Sequence, residues 1–377
     1  MNKPNILFLF ADDQRFDTIS ALGNKEIITP NLDALVKEGT CFTHAHIPGG
    51  TVGAVCMPSR AMVNTSRSLF HLQGNGHVIP DNDPLLGEEL QKAGYETYGI
   101  GKWHNGTKSY ARSFSDGDEI YFGGMWDHWN VPAHHFDPTG QYPERIPHCM
   151  NLFHNNKLEI KITDHMHQGK HSTDLFSETA IQFIQDRASG KRDKGKPFYL
   201  YTAFMAPHDP RTMPERFLHM YDNVNVTLPK NFKDMHPFDY GILDCRDETL
   251  APYPRTKENT IQQIKEYYAM ISHLDWAIGN IIHALKESGE YENTLIVFAG
   301  DNGLALGQHG LFGKQNAYEH SLRVPLIFAG PGIQKGAKID SPCFLMDIFP
   351  TLCDTIHISI PQTQIPPQVI TCFSKIT

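Results

Sequence analysis

A cysteine that opens a short motif is the part of this sequence whose residue types and spacing most strongly suggest chemistry. Cys56 is followed by Pro58, Ser59 and Arg60 in a C-x-P-S-R arrangement. Pro58 suits the first turn of a helix, where its missing N–H leaves no hydrogen bond unmade. Residues four apart share one helix face, so we expect Arg60 beside position 56, at a helix start that favours anions. The motif predicts an anion-handling site, and the alternative is a buried cysteine before an ordinary helix.

The spacing after Cys56 excludes one other use of a cysteine. A cysteine-dependent phosphatase requires arginine six residues after the nucleophile, whereas the residue at that position here is Met62. The sequence therefore does not predict a cysteine phosphatase.

Oxygen-bearing side chains follow two apolar runs that are far apart in the sequence. Asp12 and Asp13 follow the first run, and Asp301 and Asn302 follow a later one. The carboxyl ends of strands form the ligand crevice of open α/β sheets, so these side chains are expected to converge. Such oxygen donors suit Ca²⁺ or Mg²⁺ and are poor ligands for Zn²⁺. The alternatives are a helix cap for the aspartate pair and a simple turn for the Asp-Asn-Gly sequence.

Strands and helices alternate along the elements that must position these residues. Continuous apolar runs predict buried parallel strands at 6–10, 95–100, 197–204, 295–299 and 325–329. Helical spacing and end signals predict helices at 30–38, 85–93, 172–187, 257–288 and 345–355. This order predicts a doubly wound α/β fold, with a mostly parallel central sheet and helices on both faces. Segments 110–170 and 210–254 break the pattern, and we expect binding loops there, with plain surface loops as the alternative.

The totals set limits on the class of protein. The chain has 377 residues, 40% of them hydrophobic, which suffices for one large α/β domain or two domains. A net charge of −9 argues against a nucleic-acid partner and gives no signal for a membrane surface. The seven cysteines are scattered without a C-x-x-C pair, which favours a reducing compartment.

The apolar run at 5–11 could be mistaken for a signal peptide. It is short, ends in two aspartates and lacks a small-residue cleavage site, so we interpret it as the first strand. No run approaches the ~18 apolar residues that a membrane-spanning helix needs. The sequence as written is therefore expected to be cytoplasmic, and periplasmic or secreted if its N-terminus has been trimmed.

Together, these motifs resemble those of one enzyme family. The Cys56 motif resembles the sulfatase signature, in which a T-G-R triplet follows C-x-P-S-R. The corresponding triplet here is Thr65, Ser66 and Arg67. Ser66 stands where the family usually has Gly. Further matches follow in the family's order at 5–14, 29–33, 101–104, 206–210, 301–303, 313–325 and 345–352. The chain is identified as a member of the formylglycine-dependent sulfatases of the alkaline phosphatase superfamily, with the resemblance extending to about residue 361.

The resemblance implies two cofactors. A formylglycine-generating maturation enzyme would oxidise Cys56 to formylglycine, whose aldehyde hydrate is the nucleophile. A divalent ion, Ca²⁺ in preference to Mg²⁺, would be bound by Asp12, Asp13, Asp301 and Asn302 together with residue 56.

The resemblance also implies roles for the basic residues. Arg60 would hold the hydrate, and Lys102 and Lys314 would bind the sulfate oxygens. His104 would take the proton that lets the hydrate expel sulfate. His208, with Lys314, would protonate the leaving alcohol. The alternative for each lysine is a surface position, and for each histidine an ordinary loop position.

The end of the chain departs from the family pattern. Residues 1–361 are predicted to form the sulfatase catalytic domain, and 362–377 an atypical tail produced by truncation or a frame shift. The small C-terminal domain that is usual in the family is expected to be largely missing, which would expose apolar surface.

These observations predict a sulfuric ester hydrolase that cleaves an organic sulfate monoester such as a sulfated sugar. Its expected partners are the saccharide sulfate and the maturation enzyme, with no nucleic acid and no membrane. One alternative is a phosphate or phosphonate monoester hydrolase of the same superfamily. The other is a truncated, non-catalytic pseudoenzyme that binds sulfated glycans.

Overall fold

The computed structural model describes residues 3–50, 55–72, 76–150, 157–359, 361 and 376. Strands and helices alternate along most of its length. The strands are β1 (Asn5–Ala11), β2 (Gly39–His46), β3 (Glu96–Lys102), β4 (Asp116–Tyr121), β5 (Pro132–Ala133), β6 (Arg145–Met150), β7 (Lys157–Ile162), β8 (His165–Met166), β9 (Phe198–Ala203), β10 (Thr294–Gly300), β11 (Arg323–Ala329), β12 (Ala337–Ile339) and β13 (Cys343–Phe344). The α-helices are α1 (Pro30–Glu38), α2 (Cys56–Thr65), α3 (Leu86–Lys92), α4 (Thr107–Ser113), α5 (Ser172–Ala188), α6 (Glu215–His219), α7 (Lys257–Glu287), α8 (Glu319–Leu322) and α9 (Ile348–Thr355).

One sheet forms the centre of the molecule. Its strands lie in the order β12-β2-β11-β10-β1-β9-β3-β4, with β13 also paired to β2. Strand β1 runs parallel to both of its neighbours, β10 and β9, and β3 runs parallel to β9 and β4. Strand β11 is antiparallel to β10 and β2, so the predicted parallel direction of the strand at 325–329 was wrong. The predicted doubly wound, mostly parallel α/β fold is confirmed.

The two faces of the sheet carry separate apolar cores, which explains why the central strands are apolar throughout. In β1, Phe8 and Phe10 belong to one core, and Leu7 and Leu9 belong to the other. The first core is completed by residues of α2, α3 and α9, and the second by residues of α1, α5 and α7. Helices therefore cover both faces, as expected for a parallel sheet.

The five predicted strands and five predicted helices are present with ends shifted by a few residues at most. Polar side chains complete two of the helix starts. The side chain that caps α5 belongs to His171, and it accepts a hydrogen bond from the Thr173 N–H. At α1, the carboxylate of Asp275 accepts the N–H groups of Asn31 and Leu32.

The prediction of irregular structure at 110–170 was wrong in part. This segment contains the end of α4, the sheet strand β4 and the short strand pairs β5–β8 and β6–β7. Segment 210–254 is mostly irregular, with α6 and one short 3-10 turn. The predicted tail at 362–377 lies outside the described residues except for position 376. Among the residues that the structure describes, no helix is long and apolar enough to cross a membrane.

Candidate active site

The acidic residues that follow β1 and β10 meet at the carboxyl end of the sheet. The two strands are paired in parallel, and the pair Ala11 and Gly300 ends their ladder, so the following residues start side by side. The Asp13 N–H donates to Oδ1 of Asp301 at 3.0 Å, and the Asn302 amide donates to Oδ1 of Asp13 at 2.7 Å. These side chains and that of Asp12 are buried. The parallel pairing of β1 and β10 brings these carboxylates together, as the sequence predicts.

Cys56 is the first residue of α2, and its thiol faces this carboxylate group. Its Sγ lies 3.5 Å from Nζ of Lys102 and 3.5 Å from Nδ1 of His104. Asp12, Cys56 and Asp301 each offer a ligand atom, and these atoms lie within 4.8 Å of one another. The helix start thus places the cysteine between basic side chains and carboxylates.

Arg60, one helix turn after Cys56, is fully buried and braces this arrangement. Its Nε donates to Oδ2 of Asp301 at 2.8 Å, and one terminal nitrogen donates to the Lys102 carbonyl at 2.8 Å. Its other terminal nitrogen lies 3.6 Å from Oδ2 of Asp12. Arg60 therefore joins α2 to the ends of three strands.

The end of β3 places Lys102 in the site. Lys102 is fully buried, and its ammonium forms an ion pair with Asp12. Gly101 before it has φ +81, and a Cβ at this position would lie 2.0 Å from the Ala203 carbonyl oxygen. Only glycine fits this close approach of β3 to β9, so Gly101, the first residue of the family match at 101–104, is required by packing.

The opposite side of the site is formed around Asp13. The ammonium of Lys314 donates to Oδ1 of Asp13 at 2.6 Å, and Nε2 of His208 lies 3.6 Å from its Oδ2. The ring of His208 is oriented by its Nδ1, which donates to the Asp209 carbonyl at 2.8 Å. Every predicted site residue thus contacts another predicted site residue; their individual roles stay predictions.

The sequence matches a known protein family over almost its whole length. The family model for sulfatases matches residues 4–358. The chain belongs to the sulfatase family. This confirms the predicted family and the prediction of an enzyme.

Two curated relatives illustrate the family's range. The chain is 29% identical to an arylsulfatase of Clostridium perfringens, with 96% of this chain and 76% of the relative covered. It is 25% identical to an N-acetylglucosamine-6-O-sulfatase of Bacteroides thetaiotaomicron, with 96% and 69% covered. Both relatives are therefore longer than the stretch that this chain matches.

A solved structure supports the fold. The phosphonate monoester hydrolase of Agrobacterium radiobacter superposes with a TM-score of 0.74 at 22% identity, covering 98% of this chain and 77% of that one. At this identity the likeness shows the fold alone, which is that of the alkaline phosphatase-like enzymes.

In the sulfatase-family site, burial and charge act on the carboxylates in opposite directions. Burial by itself would raise the pKa of Asp12, but Lys102, His208 and Arg60 outweigh it and hold that pKa below its usual range. Burial and the neighbouring Asp12 carboxylate raise the pKa of Asp301 to about 7. Two carboxylates that share a site resist simultaneous ionisation, and a cation between them would relieve this conflict.

The thiol and the nearby imidazole are both held in their neutral forms. Burial raises the pKa of the Cys56 thiol, and Asp12 and Asp301 add to this, although Lys102 and Lys314 oppose it. Burial and then Lys102 and Arg60 lower the pKa of His104 well below its ordinary value. A neutral thiol is a poor nucleophile, whereas a neutral imidazole can accept a proton.

The donor set fits a hard divalent ion. Oδ1 of Asp12 and Oδ1 of Asn302 are buried and have no hydrogen-bond partner within the part of the chain that the structure describes. Buried polar oxygens are normally paired, so two such oxygens beside further carboxylates form a group that could hold a divalent cation. The set matches the oxygen preference of Ca²⁺ or Mg²⁺.

Sequence reasoning missed several supporting residues. The Tyr267 hydroxyl on α7 donates to the Asp13 carbonyl at 2.5 Å and accepts the Arg15 N–H at 3.0 Å. His128 faces the His208 carbonyl through Nε2 at 2.9 Å. The tryptophan- and histidine-rich loop around His128 was a visible signal, but nothing local marks Tyr267 as a neighbour of the site.

The backbone at two site residues is also unusual. Asp13 has φ +59 and His104 has φ +70, both in the left-handed region that side-chain-bearing residues rarely adopt. Such conformations persist only where the surrounding structure enforces them, and they are concentrated at functional sites.

Proposed function

We propose that this protein hydrolyses an organic sulfate monoester carried by a saccharide, with Cys56 oxidised to formylglycine as its nucleophile. The observation that carries the proposal is the position of Cys56 at the start of α2, within 3.5 Å of both Lys102 and His104 and facing the carboxylates after β1 and β10. An unmodified thiol with a raised pKa would not serve as a nucleophile here. Formylglycine at position 56 would, as its hydrate, supply the hydroxyl nucleophile that the thiol cannot provide.

Asp12, Asp13, Asp301 and Asn302, together with residue 56, would hold a calcium ion. A bound calcium ion would withdraw charge from the sulfate oxygens and from the nucleophile. The four side chains are oxygen donors already gathered at one point, and two of their oxygens lack other partners among the described residues.

Lys102 and Lys314 bind the sulfate oxygens in this proposal. Both ammonium groups are buried, and each now pairs with an aspartate, Lys102 with Asp12 and Lys314 with Asp13. Burial would lower the pKa of each lysine, but the nearby carboxylates raise it overall, so both remain charged. Fixed charges in a site shielded from water stabilise the extra negative charge of the transition state.

His104 and His208 move the two protons. His104, neutral and 3.5 Å from the sulfur of residue 56, would accept a proton from the modified side chain at position 56 when sulfate is released. His208 lies on the Asp13 side of the site, near Lys314, where it donates a proton to the departing alcohol oxygen. Arg60 keeps the start of α2 fixed against Asp301.

The substrate class rests on relatives of this chain. One relative is named for 6-O-sulfated N-acetylglucosamine, and others are named for ulvan and for choline sulfate. We propose a saccharide sulfate because two of these three names denote carbohydrate substrates.

The test is a paired assay on protein produced together with a formylglycine-generating enzyme. Nitrophenyl sulfate and nitrophenyl phosphate are compared, followed by a panel of sulfated monosaccharides. We expect kcat/KM to favour the sulfate ester and calcium to be required. A large preference for phosphate would support the phosphate or phosphonate hydrolase instead, and calcium binding with glycan affinity but no turnover would support the pseudoenzyme.

A further inference from the structure

A second group of metal-ligating side chains lies where the edge strand β4 meets the short strand β8. Glu119 accepts contacts from two imidazoles, with Nε2 of His165 at 3.0 Å from one carboxylate oxygen and Nε2 of His167 at 2.9 Å from the other. The three ligand atoms lie within 4.8 Å of one another. None of these residues belongs to the site around Cys56.

The backbone directs Glu119 into this group. The pairing of β4 with β3 skips one residue, because Ile100 pairs with Asp118 and Gly101 pairs with Ile120. Glu119 is the extra residue, and its φ of +50 lies in the left-handed region. A bulge of this kind redirects a side chain, and such strain is typical of functional positions. Glu119 is also buried, so its carboxylate needs a compensating charge.

The two histidines are presented by a fixed strand. His165 and Met166 form β8, which pairs with β5, and β5 continues into His134, which pairs with Ile120 next to Glu119. The alternating geometry of an extended chain puts residues 165 and 167 on the same side. The site therefore joins two segments that are already held together by backbone hydrogen bonds.

The environment of His165 resembles that of a metal ligand. Its Nδ1 contacts the Asp164 carboxylate, and its Nε2 faces Glu119. A neutral imidazole has only one N–H, so two carboxylates at its two nitrogens require either an extra proton or a metal ion at Nε2. A histidine that binds a metal through one ring nitrogen usually donates its other N–H to a carboxylate or a carbonyl.

We propose that Glu119, His165 and His167 bind a first-row divalent transition metal of the Zn²⁺ class, as a structural clamp between β4 and β8. Two nitrogen or carboxylate ligands about 2.1 Å from zinc at a tetrahedral angle lie about 3.4 Å apart. The present separations of 2.9 and 3.0 Å need to open by about half an ångström. Two imidazoles and one carboxylate form a ligand set that favours transition metals over calcium.

A nearby group of two histidines and an aspartate is less suited to bind a metal ion. His171, Asp174 and His273 also lie close together. However, Nδ1 of His171 accepts the Thr173 N–H at 3.2 Å and Nε2 faces the Thr212 carbonyl at 2.9 Å, so both nitrogens of this ring are already used. The Glu119 group has no such competing backbone partners at the two Nε2 atoms among the hydrogen bonds of the described residues.

The test is a zinc titration of the full chain after chelation. Excess calcium is added to fill the oxygen-donor site proposed to bind it. Calorimetry measures zinc affinity, and Co²⁺ replaces zinc to give a visible absorption spectrum of the ligand set. The variants are Glu119→Gln and His167→Gln. The comparison variant is His135→Gln. This exposed histidine stacks on His165 at 4.4 Å and pairs with Asp118, and it could hold a metal only in a different group with Asp164 and His165.

We expect one zinc equivalent per chain, at least tenfold weaker binding in both ligand variants, and affinity within threefold of the starting protein in His135→Gln. His167→Gln removes a partly exposed side chain, so it keeps the test valid if Glu119→Gln fails to fold. Absence of zinc binding in the presence of calcium would overturn the proposal. Unchanged binding in His167→Gln, or an equal loss in His135→Gln, would also overturn it.

Discussion

Replacement of Arg60 by methionine should destabilise the protein strongly, and calcium should reverse much of the loss. The Arg60 guanidinium is fully buried between Asp301 at 2.8 Å and Asp12 at 3.6 Å. Methionine keeps the apolar stem but leaves both carboxylates without this cation. Removal of one partner of a buried ion pair destabilises a protein by about 3–5 kcal/mol, because the remaining charge is uncompensated.

The dependence on calcium follows from the same geometry. Two unit charges 4 Å apart interact by about 4 kcal/mol at an effective dielectric constant of ~20. A divalent ion held by Asp12 and Asp301 would replace the lost positive charge at short range. We therefore expect calcium to recover at least half of the loss in unfolding free energy, whereas the chelated variant shows the full loss.

Arg187→Met is the matched control. Arg187 is equally buried, pairs with Glu96 and Glu290, and lies over the Phe198 ring at 4.9 Å, as Arg60 lies over Phe10 at 4.9 Å. Glu96 and Glu290 are not among the residues proposed to bind calcium. We expect a loss of similar size that calcium does not change.

The assay is urea unfolding followed by tryptophan fluorescence, with each variant measured in chelator and in calcium. An equal loss for Arg60→Met in both conditions would refute the view that Arg60 and a metal ion neutralise the same carboxylates. A loss below about 1 kcal/mol would refute the uncompensated-charge argument itself.

Three further outcomes are expected. Lys102→Met should lower kcat on a sulfate ester by about a hundredfold to a thousandfold, since it removes one buried charge from the transition state; a change of less than tenfold in steady-state kinetics would contradict this. Because the pKa of His104 is lowered, the base form persists as the pH falls through its ordinary value of 6.5, so a kcat–pH profile should lose activity only at lower pH. The contrary result would be a kcat that already falls at or above pH 6.5 and no longer does so in His104→Gln. It would show that the pKa of His104 is not lowered and would argue against His104 as the proton acceptor. Ser66→Gly should raise the unfolding free energy by about 1 kcal/mol, because Ser66 has φ +54 and its buried hydroxyl has no partner among the described residues. Ser66→Ala keeps the φ strain and should gain less in the same urea experiment.

The fold could be predicted wherever the local pattern and the tertiary environment agree. The central strands are apolar throughout because helices cover both faces, and the run at 6–10 shows this directly. Strand β2 was missed because Gly39 has the features of a helix end, and it both follows α1 and begins β2. The prediction of a parallel strand at 325–329 was wrong, because an apolar run has the same pattern in parallel and antiparallel neighbours and β11 is antiparallel to both of its neighbours.

The site could be predicted where strand ends or a helix start bring residues together. Asp12, Asp13 and Asp301 follow from the parallel pairing of two strands. The brace from Arg60 to Asp301 could not be predicted, because it joins residues 241 positions apart through side-chain contacts. The support of Asp13 by Tyr267 across 254 positions was hidden for the same reason.

The chemical state of residue 56 in active protein tests the central claim most directly. Protein made with and without a formylglycine-generating enzyme is digested, the peptide spanning Cys56 is analysed by mass spectrometry, and sulfate ester hydrolysis is measured on the same samples. The account predicts an aldehyde at position 56 and turnover that rises in proportion to the aldehyde fraction. An intact thiol in a sample that hydrolyses the sulfate ester at full rate would contradict it.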